Sequence, residues 1–286
     1  MPPALQRTAA AVSLVGVAVV WGATFPLGKI VLRHLGPFQY LGLRFALATV
    51  LMLPFVRCDL RSANREAVGR GVVTGAVLFC AYALQTLGLR STTASEAGLI
   101  TGMNVVIVPL LAMIWLGQRS SPLTVAGVIT AACGLWLLAW QGMRPRAGDL
   151  LVLGCAGAIA VHIVLVGRFA AALPPGGFAT IQIGTVAVLA AAAGMFERLP
   201  GEVPLPALGA VAFMAVAATG VAYLVQTWAQ RFTSAARVGL LFTVEPVAAL
   251  ALGILWLGES LNGRQAVGAA AILAGVVMGE YSRQGT

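Results

Sequence analysis

The sequence predicts an all-α polytopic membrane protein of ten transmembrane helices, arranged as two inverted five-helix repeats. Three observations carry that expectation. Of 286 residues, 59% are hydrophobic and only 9% charged, with a mean hydropathy of +0.93. Soluble globular chains carry about 25% charged residues, and no soluble fold hides this much apolar surface. Apolar runs of about 20 residues, the length of a helix that crosses the hydrocarbon, recur along the whole chain. Finally, the stretch that begins at Tyr82 matches the stretch that begins at Tyr223 without a gap, at an offset of 141 residues. Tyr82, Gln85, Thr86, Arg90, Thr92, Ala94, Gly98, Leu99, Trp115, Leu116, Gly117, Gly127 and Gly134 each meet an identical residue there. Apolar bias does not align Tyr, Gln, Arg and Trp in register, so one half-molecule is written twice.

Taken in order, the spans fall at roughly 9–31, 38–56, 70–88, 93–116, 123–141, 149–168, 177–196, 206–228, 234–257 and 264–281. The first follows a single Arg and runs past Trp21 and Phe25 to Val31. It is read as a crossing rather than a cleaved signal peptide, because it is long and more spans follow. Helix-stop chemistry separates several spans: Gly36-Pro37, Ser121-Pro122 and the run Pro174-Pro175-Gly176-Gly177. The longest connection is expected near 57–69, and no connection is long enough for a soluble domain. The repeats are 1–141 and 142–286. An offset of five spans is an odd number of crossings, so the second copy enters from the opposite side. The copies are then related by a pseudo-two-fold axis in the membrane plane, the architecture of secondary transporters.

The net charge of +9 and the pI near 10.4 do not point to nucleic acid, because the basic residues stand singly or in short runs between apolar spans. That is the pattern of a topology signal. With the N-terminus inside, the inner side receives Arg7, Arg57, Arg61, Arg65, Arg70, Arg119, Arg168, Arg231, Arg237 and Arg283. The outer side receives Arg33, Arg90, Arg144, Arg146, Arg198 and Arg264. Ten against six predicts both termini in the cytoplasm. Lys29 and Arg44 fall within or at the edge of spans. The four cysteines form no CxxC pair, the two histidines form no HExxH, and the Gly22 to Lys29 stretch has the wrong spacing for a Walker A loop. No cofactor, metal or catalytic constellation is expected.

What remains is a set of polar groups at membrane depth, which face a cavity or a partner because lipid cannot satisfy them. Glu245 lies well inside the ninth span before Pro246, and its repeat mate is Asn104. It reads as a midplane carboxylate for a cationic group or a proton, or else as a neutral acid stapling two helices. His162 has Trp21 as its mate, and Trp21, Thr24, Phe25 and Gly28 share one helical face. Tyr82, Gln85 and Thr86 share a face that Tyr223, Gln226 and Thr227 repeat. Each set lines a central cavity or packs against neighbouring helices. Glu96 and Arg237 are mates of opposite charge on opposite faces. Glu96 is expected on the outer side with Lys29, Arg44 and Arg90, where an ion pair would latch a gate or merely tie the interface. Pro26, Pro109 and Pro246 each remove a backbone donor from a span.

WGATFPLGK in the first span, LGLRFALA in the second, the run from Pro109 ending WLGQ, and EPVAALALGILWLGES in the ninth resemble the EamA family of the drug/metabolite transporter superfamily. The resemblance covers essentially the whole chain. It implies ten helices in two inverted repeats, a central substrate cavity and export of small metabolites across the bacterial inner membrane. In size and layout the chain is similar to the YddG type, which exports amino acids, aromatic ones included. The halves depart from one another at Gln118 against Glu259 and at Asn104 against Glu245, so a role tied to those carboxylates is one-sided. The expected substrate-binding residues are Trp21, Thr24, Tyr82, Gln85, His162, Tyr223 and Gln226. The expected coupling or gating residues are Glu245, Asn104, Glu96, Lys29 and Arg44. The expected partners are a small-molecule substrate, membrane lipid and, through Glu245, protons. A passive facilitator of the same fold and a membrane-embedded lipid-modifying enzyme are the competing readings.

Overall fold

A computed structural model describes residues 3–139, 146–198, 201–257 and 262–281. Arg144, Glu259, Arg283 and the 141/142 repeat boundary lie outside the described residues. The helices group into ten rods. α1 runs in two pieces, Pro3–Gly22 and Thr24–Val31. α2 is Pro37–Arg61 and α3 is Arg65–Leu89. α4 is again in two pieces, Ala94–Thr101 and Asn104–Leu116. α5 is Pro122–Ala139, α6 is Ala147–Phe169 and α7 is Pro175–Gly194. α8 starts as Leu205–Ala215, passes through a π-helical turn at Val216–Val221 and ends as Ala222–Ala229. α9 comprises Ala235–Phe242 and Val244–Leu257, and α10 is Gly263–Tyr281. Among the described residues, eight of these rods are long and apolar enough to cross a membrane, and α5 supplies a shorter apolar helix.

Local chemistry sets the ends. Pro37 and Pro175 open α2 and α7, where the missing N–H has no helical partner to lose. Gly117 closes α4 with φ +63, the left-handed conformation that only glycine takes without strain. Pro26 and Pro246 lie three residues beyond the breaks in α1 and α9, and each leaves the carbonyl four residues back without its donor. One expectation is corrected. The segment 57–69 is almost wholly helical, broken only around Ser62–Asn64, where the Asn64 side chain accepts from the Ala67 N–H at 2.8 Å. An apolar run marks where a helix leaves the hydrocarbon, not where it stops, and both helices carry their arginines beyond that edge.

The repeat symmetry is visible in the packing. Lipid is as apolar as leucine, so helices in a membrane associate by close approach rather than by escape from water. α5 and α10 do this through glycines. A Cβ on Gly127 would lie 2.5 Å from the Gly275 carbonyl oxygen, and one on Gly134 would lie 2.6 Å from that of Gly268. The pairing runs antiparallel. Replacing each residue by its counterpart in the other repeat turns one contact into the other. Helices that are repeat mates and cross antiparallel are related by an axis perpendicular to both, hence in the membrane plane. The inversion read from the sequence is therefore a property of the fold. The same axis passes where the hydroxyls of Tyr82 and Tyr223, mates across the repeat, meet at 2.9 Å.

Candidate functional site: a polar cavity between the repeats

At that axis lies a cavity lined by Trp21, Thr24, Leu78, Ala81, Tyr82, Gln85, Asn104, Cys155, Ile159, His162, Ile163, Tyr223, Gln226, Phe242 and Glu245. All seven residues expected to bind substrate are on this wall, as are Asn104 and Glu245. Its volume is about 30 Å³, far below the roughly 300–1,000 Å³ of small-molecule pockets. The walls are drawn together.

An aromatic box forms one side. The Trp21 ring stands 4.9 Å from Phe242 and 5.6 Å from Tyr223, centroid to centroid. His162 meets Tyr223 edge-on at 5.7 Å. These rings are held from behind by hydrogen bonds. Trp21 Nε1 donates to the Ala218 carbonyl at 2.8 Å. The amide of Gln182 donates to the Phe178 carbonyl at 3.2 Å, which leaves its Oε1 to face His162 Nε2 at 2.8 Å. That arrangement puts the imidazole proton on Nε2. Thr24 turns its hydroxyl back to the Trp21 carbonyl at 2.7 Å.

The same wall also carries acceptors. Asn104 and Glu245 each stand at the start of the second piece of a broken helix, where the helix dipole favours a negative side chain. Asn104 donates through Nδ2 to the Thr101 carbonyl at 2.9 Å, and its buried Oδ1 has no partner among the described residues. Gln226 donates to Gln230 Oε1 at 3.0 Å, while its own buried Oε1 is unpartnered among the described residues. Glu245 is 8% exposed and forms no ion pair among the described residues. Gln85 lines the cavity at half burial. Thr86 and Thr227, read on the same face as these tyrosines and glutamines, are buried outside the lining.

The gating expectation is corrected in its partners. Glu96 pairs with Arg146 at 2.9 Å, not with Lys29, Arg44 or Arg90. It also closes a capping box with Thr93 at the start of α4, accepting from the Thr93 N–H and hydroxyl while its own N–H donates to Thr93 Oγ1. The signature was legible: Thr-x-x-Glu before an apolar run. Arg146 reaches Glu96 because α6 lies against the end of α3, where a Cβ on Gly88 would sit 2.7 Å from the Gly148 carbonyl oxygen. Thr92 donates to Asp149 in the same clasp. At the other face Arg231 donates to the carbonyls of Ala170 and Leu173, tying the α8–α9 connection to that between α6 and α7. Lys29 is half-buried at the end of α1.

Arg44 is not at an edge. It is 2% exposed, against the π-helical turn of α8. Its Nε donates to Thr219 Oγ1 at 2.8 Å, Nη1 to the Tyr40 hydroxyl at 3.0 Å, and Nη2 to the Ala218 carbonyl at 3.2 Å and the Tyr82 hydroxyl at 3.4 Å. The Ala218 carbonyl thus takes both Trp21 and Arg44. In the π turn Thr219 bonds back to the Met214 carbonyl, five residues away, and such turns cluster at functional sites. Tyr40, Thr219, Gln182 and Phe242 were not singled out from the sequence. Thr219 and Gln182 carried a signal, polar side chains in the middle of apolar spans.

Ten rods in two inverted halves around a central polar cavity define a multi-pass membrane transporter. The chain belongs to the EamA-like transporter family, which matches it twice, at residues 8–140 and 146–279. An Archaeoglobus fulgidus protein named "Uncharacterized transporter" is 30% identical over 276 residues, covering 96% of this chain and 86% of that one. The "Threonine/homoserine exporter RhtA" of Salmonella typhimurium is 28% identical over 243 residues, covering 81% of this chain and 78% of the exporter. The fold also matches a crystal structure of another protein at 20% identity, with a TM-score of 0.80 over 97% of this chain and 99% of that one. Membership of this family makes the chain a transporter and not an enzyme.

Proposed function

We propose that the chain is a secondary transporter of the bacterial inner membrane that exports small metabolites, amino acids foremost, by alternating access of two repeats (1–141 and 142–286) around the central cavity. The observation that carries this reading is the wall itself. Residues that are mates across the repeat, Tyr82 with Tyr223, Trp21 with His162, Gln85 with Gln226 and Asn104 with Glu245, converge on one cavity. Rocking of related halves about that point opens it to either side in turn. Trp21, Tyr82, Tyr223 and Phe242 suit an apolar or aromatic side chain, as in the YddG type. The likeness to a threonine/homoserine exporter supports amino acids as the class. Both termini are assigned to the cytoplasm by the arginine count, and a periplasmically active reporter fused to the C-terminus would contradict that if it were active. The test of the function is a screen of the twenty amino acids in proteoliposomes. At least one is expected to cross faster than in empty vesicles; no movement of any amino acid or amine would sink the reading.

Glu245, buried beside the cavity without an ion-pair partner, supports proton coupling over passive facilitation. Counterflow and pH-jump transport separate the two. A coupled carrier accumulates substrate against its gradient when a proton gradient is imposed, whereas a facilitator only equilibrates it.

A further inference from the structure

Two ionisable side chains of opposite kind, Arg44 and Glu245, are buried beside the cavity and are not paired with each other. Arg44 spends its N–H groups on neutral oxygens only: Thr219, Tyr40, Tyr82 and the Ala218 carbonyl. No carboxylate of the described residues comes within the 4.0 Å of an ion pair. Its guanidinium carbon sits 5.0 Å from the centre of the Tyr82 ring and 5.5 Å from that of Phe45. Glu245 is buried on the cavity wall, likewise outside any ion pair. A buried ion is retained where a partner of opposite charge meets it.

The hydrogen-bond ledger says where those partners would come from. The Tyr82 oxygen already receives two donors, the Tyr223 hydroxyl at 2.9 Å and Arg44 Nη2 at 3.4 Å. Its own proton finds no acceptor among the described residues, and Tyr82 is on the cavity wall. This corner of the cavity therefore offers a donor, polarised by the cation behind it. Glu245, the Asn104 Oδ1 and the Gln226 Oε1 line the cavity as acceptors, the latter two buried without a donor among the described residues. A donor with a cation behind it, and acceptors that include a carboxyl group, match a carboxylate and an ammonium. The ammonium has three N–H groups to give and none to receive.

We propose that the cavity takes an α-amino acid as its zwitterion in a fixed orientation. The carboxylate accepts from the Tyr82 hydroxyl under the charge of Arg44, and the ammonium donates to Glu245, Asn104 and Gln226. Arg44 is a positioning residue in this scheme, acting through Tyr82. The proposal rests on the amino-acid reading above and deepens it: the site selects against amines and carboxylic acids that carry only one of the two charges.

The test uses the full-length protein in nanodiscs and two matched sets of ligands, with binding measured by calorimetry. One set is L-phenylalanine, 2-phenylethylamine and 3-phenylpropionate; the other is L-threonine, 1-amino-2-propanol and 3-hydroxybutyrate. In at least one set the amino acid is expected to bind roughly tenfold or more tighter than either one-charge analogue, the scale of a lost hydrogen bond to a charged group. Tyr82→Phe is expected to weaken the amino acid several-fold more than the amine and so bring the two to a similar level. Arg44→Lys should keep the preference for the carboxylate and Arg44→Met should lose it, whereas a purely structural role would weaken amino acid and amine alike. If Arg44→Met does not fold, the Tyr82→Phe comparison decides alone. Equal binding of amino acid and amine by the native protein, or an equal loss of both in Tyr82→Phe, overturns the orientation and leaves the transporter reading standing. Binding of neither set overturns the orientation for these two side-chain types, while the amino-acid reading stands or falls with the screen of all twenty.

Discussion

α4 and α9 are broken at the same place, while α1 and α8 are broken where their counterparts run straight. The first pair is interrupted at Gly102–Met103 and at Thr243, positions in register across the repeat. The π turn of α8 at Val216–Val221 corresponds to a stretch of α3 that stays α-helical, and the break of α1 at Ala23 corresponds to uninterrupted α6. The shared break does not even have a shared cause. Pro246 explains the one in α9, whereas Pro109 lies well inside the second piece of α4. The difference separates frame from site. Shared features, the mated breaks and the glycine contacts of α5 and α10, keep the two halves alike. Unshared features, the π turn and the α1 break, gather Trp21, Arg44 and Thr219 on one side of the cavity. Symmetry builds the frame, and its local failure makes the residues around the cavity unlike in the two halves.

The largest expected effect breaks the asymmetry. Glu245→Gln makes both mates neutral amides, and it is expected to abolish accumulation driven by a proton gradient while leaving exchange measurable. Asn104→Ala should lower transport without uncoupling it. An accumulation ratio unchanged in Glu245→Gln would remove this acid from coupling.

The next prediction tests the frame. Gly134→Ala places a methyl against the Gly268 backbone, and Gly268→Ala does the same from the other side at 2.8 Å from the Gly134 carbonyl oxygen. Each should destabilise by about 1–3 kcal/mol, the scale of overpacking, and by similar amounts because the two glycines face one another across a single contact. Gly157→Ala, where a Cβ meets nothing within 4 Å, should not. Thermal unfolding in detergent reads all three, and a Gly157→Ala loss as large as the others would contradict the packing account.

Smaller effects compare the helix starts. Thr93 caps α4 in a full box with Glu96, and its mate Ser234 caps α9 through a single bond of 3.4 Å. Thr93→Ala should cost about 1 kcal/mol, and Ser234→Ala less. Smallest is Arg146→Gln. With Arg146 49% and Glu96 19% exposed, the pair is worth no more than about 1 kcal/mol, and the difference from the native protein should vanish in molar salt. A large, salt-insensitive loss would mean that this clasp carries more than a surface pair does.

The frame was legible in the sequence because it repeats. An offset and a count of crossings give the inversion, and periodicity puts Trp21 with Thr24, and Tyr82 with Gln85, on shared helical faces. Pro26 and Pro246 announced their breaks. The partners of the charges were not legible. Arg44 was placed within a span or at its edge and grouped with Glu96, because hydropathy reports depth along a helix but not which neighbour turns toward it. Its ligands come from the α8 π turn, and nothing in Val216–Val221 spells a π turn. Glu96 found Arg146 rather than Lys29 for a similar reason. That pair depends on how closely Gly88 and Gly148 bring two helices together, a tertiary distance with no local signature beyond the glycines themselves.

The most direct measurement is counterflow of the twenty amino acids into proteoliposomes loaded with the unlabelled compound, run on the native protein and on Tyr82→Phe. The account predicts rapid exchange of at least one amino acid by the native protein and a marked loss in the variant. Exchange of none by the native protein, or undiminished exchange in the variant, would contradict it.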